Sequence, residues 1–292
     1  KYSISKKITK KEHKVPLDLY YCKNCHHIQL IDIVNPKYLW TNYIFQTANK
    51  EILVKHLKKT VNDILSTKKI KRNELILDVG SNDGTLLNFF KLKKFTKFLG
   101  IDPARNIVNV ANRNKIKTMC GYMNLKNSNH IVKKYGKAKL ITAFNVFAHT
   151  DDLSEMLQSI KNTLSADGIF VIEVSYLLDI IKKNLIGTIF HEHLSYHSVI
   201  SLKKFLNKHA MKLVHITRVA EQGGSIICYI QHNEGSMKIK NSVSRIISLE
   251  KKEKLDKILT YTKFSKKMIQ NKKIIYNFFN RLNNKKLNIS VF

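Results

Sequence analysis

The sequence predicts an α/β fold: a seven-stranded sheet covered by helices on both faces, with its last strand antiparallel. Three observations carry this. From Glu74 to Val174 short apolar runs alternate with helix-period segments, the signature of successive β-α units and so of a parallel sheet. A glycine turn, Gly80-Ser81-Asn82-Asp83-Gly84, follows the first apolar run at once, as where a buried strand feeds a helix N-terminus. Two alternating runs, Lys212–Ala220 and Ser225–His232, are joined by only Glu221-Gln222-Gly223-Gly224, short enough for a hairpin.

The elements follow in order. Residues 1–15 are basic and aperiodic, which predicts little fixed structure. Pro16–Leu30 places two short strand-like runs around Cys22-Lys23-Asn24-Cys25, half of a zinc ribbon. Zinc takes four ligands; the sequence has no second Cys-x-x-Cys, and His13, His26 and His27 are the nearby substitutes. Cys22 and Cys25 are therefore expected as a metal half-site only. Tyr38, Trp40, Tyr43 and Phe45 precede a helix from about residue 50 to 66 with a 3.6-residue apolar period; such an aromatic cluster reads as packing before it reads as a site. Strands are expected at Leu75–Val79, Phe98–Ile101, Lys115–Met119, Lys139–Ala143 and Gly168–Val174. Helices are expected at 85–93, 104–114, 126–134, 151–164 and 201–210. Residues 241–283 read as one or two helices, and Leu287–Phe292 as the first strand of something further. The expected organisation is a partial zinc-binding and cap region (1–49), the α/β domain (50–235), and a helical extension (236–292) leading toward a missing domain.

Composition narrows the class. Lysine and arginine number 52 against 21 acidic residues, a formal charge of +31. Such a charge fits nucleic acid, but arginine, the residue suited to bidentate phosphate contacts, stands only at 72, 105, 113, 218, 245 and 281. A lysine bias over solvated faces is the simpler reading, and nucleic acid is not the expected partner. No window approaches the ~20 apolar residues of a membrane span, and the polar, lysine-rich start is no secretory signal. Four cysteines without a framework spacing suit a reducing cytoplasm. Cys120 and Cys228 lie in apolar strand contexts and are expected in the core. The chain opens on Lys1, as a fragment or a processed product does.

The glycine loop indicates the ligand. It is neither G-x-G-x-x-G nor a P-loop, since no lysine follows the glycines. Asp102 ends the second strand, where a carboxylate accepts hydrogen bonds from a ribose diol. The pattern fits a nucleoside without a polyphosphate, for which S-adenosylmethionine is the common ligand; a tight turn with no ligand is the alternative. A second constellation, Phe190-His191-Glu192-His193-Leu194-Ser195-Tyr196-His197, packs three of the twelve histidines into seven positions after the fifth strand. It is not H-E-x-x-H, although His193 and His197 would share a metal if helical. His149 follows the fourth strand and is expected over the same sheet edge, where convergent histidines suit acid–base work near neutral pH. For Glu173 a structural hydrogen bond is as reasonable as a substrate contact.

With these residues in view, the chain resembles the sugar C-methyltransferases that act on nucleotide-linked 4-keto-deoxysugars, class I enzymes with an N-terminal zinc-binding region. The matching segments are Pro16–Leu30, Asn42-Tyr43-Ile44-Phe45, Leu77–Gly84, Gly100-Ile101-Asp102-Pro103, Ile141–His149, Ile189–Ser198 and Gly223-Gly224-Ser225. The resemblance implies the class I methyltransferase sheet, with Asp78, Gly80, Asn82, Gly84, Asp102 and the Asn145 backbone holding S-adenosylmethionine. It implies that Tyr43, His149, Glu192 and His193 line the sugar site, that the substrate is dTDP-linked, and that structural zinc binds if a full ligand set is present. Three departures stand out: Phe190 replaces the usual tyrosine, Gln222 and Ile226-Ile227 replace a histidine and an arginine around Gly-Gly-Ser, and the first zinc knuckle and C-terminal domain are missing. The expected chemistry is C-methylation beside a ketone, with His193 as base, Glu192 orienting it or binding a hydroxyl, and His149 and Tyr43 as enolate or hydroxyl partners. An O- or N-methyltransferase, a basic RNA-binding methyltransferase or module, and an inactive relic are the alternatives.

Overall fold

The computed structural model describes residues 14–41 and 43–284. The expectations for residues 1–13 (His13 included), for Asn42 and for the strand at 287–292 lie outside the described residues. The chain begins with β1 (Tyr20–Tyr21), β2 (Ile28–Gln29), α1 (Pro36–Trp40) and α2 (Glu51–Thr67). The β-α series is β3 (Leu75–Val79), α3 (Thr85–Leu92), β4 (Phe98–Asp102), α4 (Arg105–Arg113), β5 (Thr118–Cys120), α5 (Leu125–Tyr135), β6 (Ala138–Phe144), α6 (Leu153–Thr163) and β7 (Leu164–Ser175). Then come α7 (Leu177–Lys183), β8 (Ser195–Tyr196), α8 (Val199–Lys208), β9 (Met211–Val219), β10 (Ser225–His232), α9 (Asn241–Lys252) and α10 (Ile258–Asn284).

The seven-stranded sheet has the order β5-β4-β3-β6-β7-β10-β9. β3 to β7 run parallel, and β10 is antiparallel to both its neighbours, the hairpin end that the sequence predicts. Side chains alternate across the sheet with period two. Thus Leu77, Ile141 and Phe170 face one layer, with Ile131 of α5, Leu157 of α6 and Leu202 of α8. Ile76, Leu140 and Ile169 face the other, with Val61 and Ile64 of α2 and Leu87 and Phe90 of α3. α9 joins the first layer through Val243, and its buried Glu250 accepts the backbone N–H groups of Val199 (2.6 Å) and Ile200 (2.8 Å), capping α8. Strand order reverses between β3 and β6, which opens a crevice beyond the carboxyl ends of the strands.

Two expectations need correction. The third parallel strand starts at Thr118 rather than Lys115, because Lys115 has φ +59° and the Ile116 N–H closes back on the Ala111 carbonyl at 3.0 Å. Those residues form the C-terminal turn of α4. Cys120, at the end of that edge strand, is exposed, its thiol 3.6 Å from the Pro103 carbonyl, whereas Cys228 is buried.

A smaller sheet, β1-β2-β8, stitches the cysteine turn to the histidine segment. A third apolar cluster lies beneath it, with Ile28, Leu30, Leu177, Ile180, Leu194 and Tyr196. The region 241–283 forms two helices. None of the residues of α10 is buried, and it exposes Ile269, Ile274 and Phe278 among others. No helix among the described residues is long and apolar enough to cross a membrane.

Candidate active site

The loop after β3 is shaped by two glycines. Gly80 has φ +67° and a Cβ there would stand 2.2 Å from Val146 Cγ2; Gly84 has φ +82° and its Cβ would meet Ile116 Cγ2 at 2.7 Å. Both positions demand glycine on conformation and on space. Asp102 is buried at the end of β4, where its carboxylate accepts the Asn82 N–H (3.0 Å) and the Ala104 N–H (2.9 Å). Burial raises its pKa, and the two backbone donors pull it back. Each oxygen keeps a lone pair for another donor. Asp78 accepts the Thr142 hydroxyl at 2.6 Å, and burial lifts its pKa to about 7. Asn145 follows β6 with φ +56°, its N–H on the Glu173 carbonyl.

The Asn82 side chain works on the preceding segment. Its Oδ1 accepts the Thr47 N–H at 3.0 Å and its Nδ2 donates to the Phe45 carbonyl at 3.0 Å. Asp83 accepts the Ala48 N–H at 2.8 Å and the Thr85 N–H at 3.1 Å, so one loop both caps α3 and pins residues 45–48 over the crevice. These contacts enclose a cleft of about 680 Å³, within the ~300–1,000 Å³ of small-molecule sites. Asp78, Gly80, Asn82, Asp102, Asn145, Tyr43, His149, Glu192 and His193 all line it, while Gly84 sits behind the loop.

The aromatic cluster forms a wall of this cleft. Trp40 stacks on His149 at 5.2 Å between centroids and 15° between planes, with Tyr43 5.3 Å beyond. Burial, then the Glu192 and Asp102 carboxylates, push the Tyr43 phenol up to about 12, so it is a neutral donor.

His193 lies 5.0 Å from the His149 ring and 4.3 Å from Phe190. Its Nδ1 is 2.8 Å from the Thr188 carbonyl. A carbonyl only accepts, so Nδ1 carries the proton and Nε2 keeps its lone pair. Burial lowers the pKa of His193, and burial with His193 nearby lowers that of His149 to about 3; both rings are neutral at pH 7. His149 Nε2 is buried without a protein partner. Burial also raises the Glu192 carboxyl. His191 is turned toward the N-terminal segment, its Nε2 donating to the Pro16 carbonyl at 3.1 Å.

The helical metal pair of His193 and His197 is overturned. The segment is extended through β8, and His197 is buried against Phe147 (5.6 Å) and His27 (5.4 Å). At the Cys22–Cys25 turn, His26 faces Tyr21, Nδ1 to phenol 2.6 Å. Among the described residues no group of three or more His, Cys, Asp or Glu side chains gathers to hold a metal, so the described donors at this turn fall short of the four that zinc takes.

Sequence reasoning missed Trp40 as a site residue and missed His56 and Glu221. His56 of α2 lies 2.7 Å from Glu173 and 3.2 Å from Glu221, and Glu221 lines the cleft. The one available signal was a histidine on the buried stripe of α2, beside Leu53 and Leu57.

A parallel sheet with this order, an antiparallel strand at its far end and a glycine loop opening on a nucleoside-sized crevice define the class I methyltransferase fold. Residues 50–216 match a family model described as a methyltransferase domain, and residues 220–292 match one described as a C-methyltransferase C-terminal domain. The first match spans more than half of the chain, and the chain belongs to this methyltransferase-domain family. The first match ends within β9 and the second begins at the β9–β10 turn. The C-methyltransferase NovU of Streptomyces niveus is 28% identical over 250 residues, 86% of this chain; the chain spans 59% of that relative's length. An S-adenosylmethionine-dependent methyltransferase from Clostridium acetobutylicum superposes with a TM-score of 0.50 at 13% identity, covering 61% of this chain and 92% of that one, a likeness of fold.

Proposed function

We propose that this chain is an S-adenosylmethionine-dependent methyltransferase that methylates a carbon beside the ketone of a nucleotide-linked 4-keto-deoxysugar, dTDP being the expected nucleotide. The observation that carries the reading is the tautomer of His193: its Nδ1–H is committed to Thr188, which leaves a neutral Nε2 lone pair in the cleft. The residues fit the cofactor. Gly80 leaves room where a Cβ would intrude, Asp102 retains acceptor capacity for a ribose diol, and the cleft has the needed volume. The match to a C-methyltransferase domain and the similarity to NovU support carbon as the acceptor.

When bound, the cofactor supplies an electrophilic methyl group on a sulfonium. His193 Nε2 takes the proton from the carbon alpha to the ketone, and the C–H electrons move onto the carbonyl oxygen as an enolate. Tyr43, a neutral phenol, and His149 are the donors assigned to that oxygen. Glu192 receives a sugar hydroxyl or steadies His193. Trp40, stacked on His149, excludes water from this side.

A panel of nucleotide-linked 4-keto sugars offered with methyl-labelled cofactor tests the reading. The expected product carries the label on carbon; NMR placing it on oxygen or nitrogen would overturn C-methylation. His193→Gln is expected to stop solvent exchange of the alpha proton and lower turnover ~10²–10⁴-fold, with S-adenosylhomocysteine binding nearly intact. Unchanged exchange removes His193 as the base.

A further inference from the structure

His56 is a buried histidine that the chemistry above does not use. It is 6% exposed on the inner face of α2. Nε2 stands 2.7 Å from Glu173 Oε2 and Nδ1 stands 3.2 Å from Glu221 Oε1. Carboxylate oxygens accept, so a ring between two of them donates from both nitrogens and is an imidazolium. Burial opposes that charge, but Glu173 and Glu221 outweigh it and hold the pKa above the usual histidine range. The trio sets two acidic side chains around one basic ring. Its outer member is Glu221, which keeps 30% of its side chain exposed and lines the cleft beside Gln222. The turn is fixed as well: the Glu221 carbonyl accepts the Gly224 N–H at 3.0 Å and the Ser225 hydroxyl at 3.2 Å.

The opposite charge is close by. Lys50, the residue before α2, lines the same cleft and precedes His56 by six residues, ~9 Å of helix rise. A long basic side chain and a glutamate can close on one small zwitterion across that span. The position along the crevice also fits. From Asp102 on β4 to Glu173 on β7 the order β4-β3-β6-β7 makes three strand steps, ~14 Å at ~4.8 Å each. From the ribose, about eight bonds of ~1.5 Å carry S-adenosylmethionine to its α-amino nitrogen, a reach of ~10 Å. The Glu221 side chain covers the rest. Among the other cleft carboxylates, Asp78 is engaged by Thr142, Asp102 is assigned to the nucleoside, Asp151 accepts the Asp152 N–H at 3.0 Å, and Glu192 lies beside His193.

We propose that Glu221, held in place by the buried His56–Glu173 pair, takes the α-ammonium of the cofactor's amino-acid tail, while Lys50 takes its α-carboxylate. The inference rests on the cofactor reading above. Glu221 and Lys50 are binding residues, and His56 is a positioning residue that acts through Glu221.

Calorimetric titration with two probes tests it: S-adenosylhomocysteine, and 5′-methylthioadenosine, which keeps the nucleoside and sulfur but lacks the amino-acid tail. Wild-type protein is expected to prefer S-adenosylhomocysteine by at least ~tenfold. Glu221→Gln should weaken S-adenosylhomocysteine ~10–100-fold and leave methylthioadenosine unchanged. His56→Gln should move the same ligand in the same direction by less; a merely structural role would weaken both ligands together. If His56→Gln fails to fold, Glu221→Gln at the half-buried outer member of the trio and Lys50→Met at an exposed side chain still decide the matter. Equal wild-type affinities, or equal weakening of both ligands in Glu221→Gln, overturn the tail site and leave the nucleoside site standing. Wild-type protein that binds neither probe overturns the cofactor reading and this inference together.

Discussion

Gly80 shows how much one residue can decide. Gly80→Ala adds left-handed strain of ~1–2 kcal/mol and places a methyl 2.2 Å from Val146. The expected outcome is a loss of at least ~2 kcal/mol in urea unfolding, with S-adenosylhomocysteine binding abolished. Adding Val146→Ala should return the part due to the clash and leave the part due to φ. This position was legible in the sequence because a glycine beside a strand has few other reasons to be there. His193 was legible as part of a cluster, but its tautomer was not, since the Thr188 carbonyl that fixes it is a backbone group. The trio at 56, 173 and 221 was illegible because nothing local links three residues so far apart. Asn82 carries another lesson: a loop residue that reads as a ligand contact also holds residues 45–48 in place, together with its neighbour Asp83.

Among the elements, β8 is the most consequential and was the least readable. It has two residues, and it is a strand only because β2 pairs with it, Ile28 opposite Tyr196 and Gln29 opposite Ser195. The Leu30 N–H donates to the Leu194 carbonyl at 2.9 Å, and the Leu194 and Ser195 N–H groups donate to the Ala148 carbonyl. One short strand therefore ties the cysteine turn to the residues beside both His193 and His149. Ile28→Ala should cost ~2 kcal/mol locally and raise amide exchange at Ser195 and Tyr196. Turnover should fall while S-adenosylhomocysteine affinity holds; loss of both would show that the small sheet supports the donor site too. The β-α elements were readable because each carries its own periodicity. The exception, at Lys115, failed because a helix C-terminal turn and a short edge strand share the same few residues.

For the whole molecule, sheet order follows from alternation and one hairpin, which is why the fold was accessible before the site. The response to pH is also a property of the whole. Burial lowers His27 to about 4 and His149 and His197 to about 3. The unfolded chain takes up protons that these folded rings refuse, so their contribution is complete above ~6.5 and is lost as pH falls toward the folded values. Burial raises Asp78 and Glu250 to about 7. Their contribution is complete below ~4 and is lost as pH rises to about 7. The two groups oppose each other between ~4.5 and ~6.5, and below ~4 only the histidines act. Three histidines outnumber the two carboxyls, so urea midpoints are expected to fall gently from pH ~6.5 to ~4.5 and more steeply below ~4. His197→Phe should flatten that drop; an unchanged slope would remove His197 as a contributor.

The small sheet has a thermal consequence. Two rungs between β2 and β8 are far weaker than the seven-stranded ladder beneath, so they open first on warming. At that temperature the crevice from Asp102 to Asn145 is expected to be intact still, while the segment that carries His193 has lost its pairing with β2. On the proposed function, a thermal ramp is then expected to abolish methyl transfer before S-adenosylhomocysteine binding, and both before the fold.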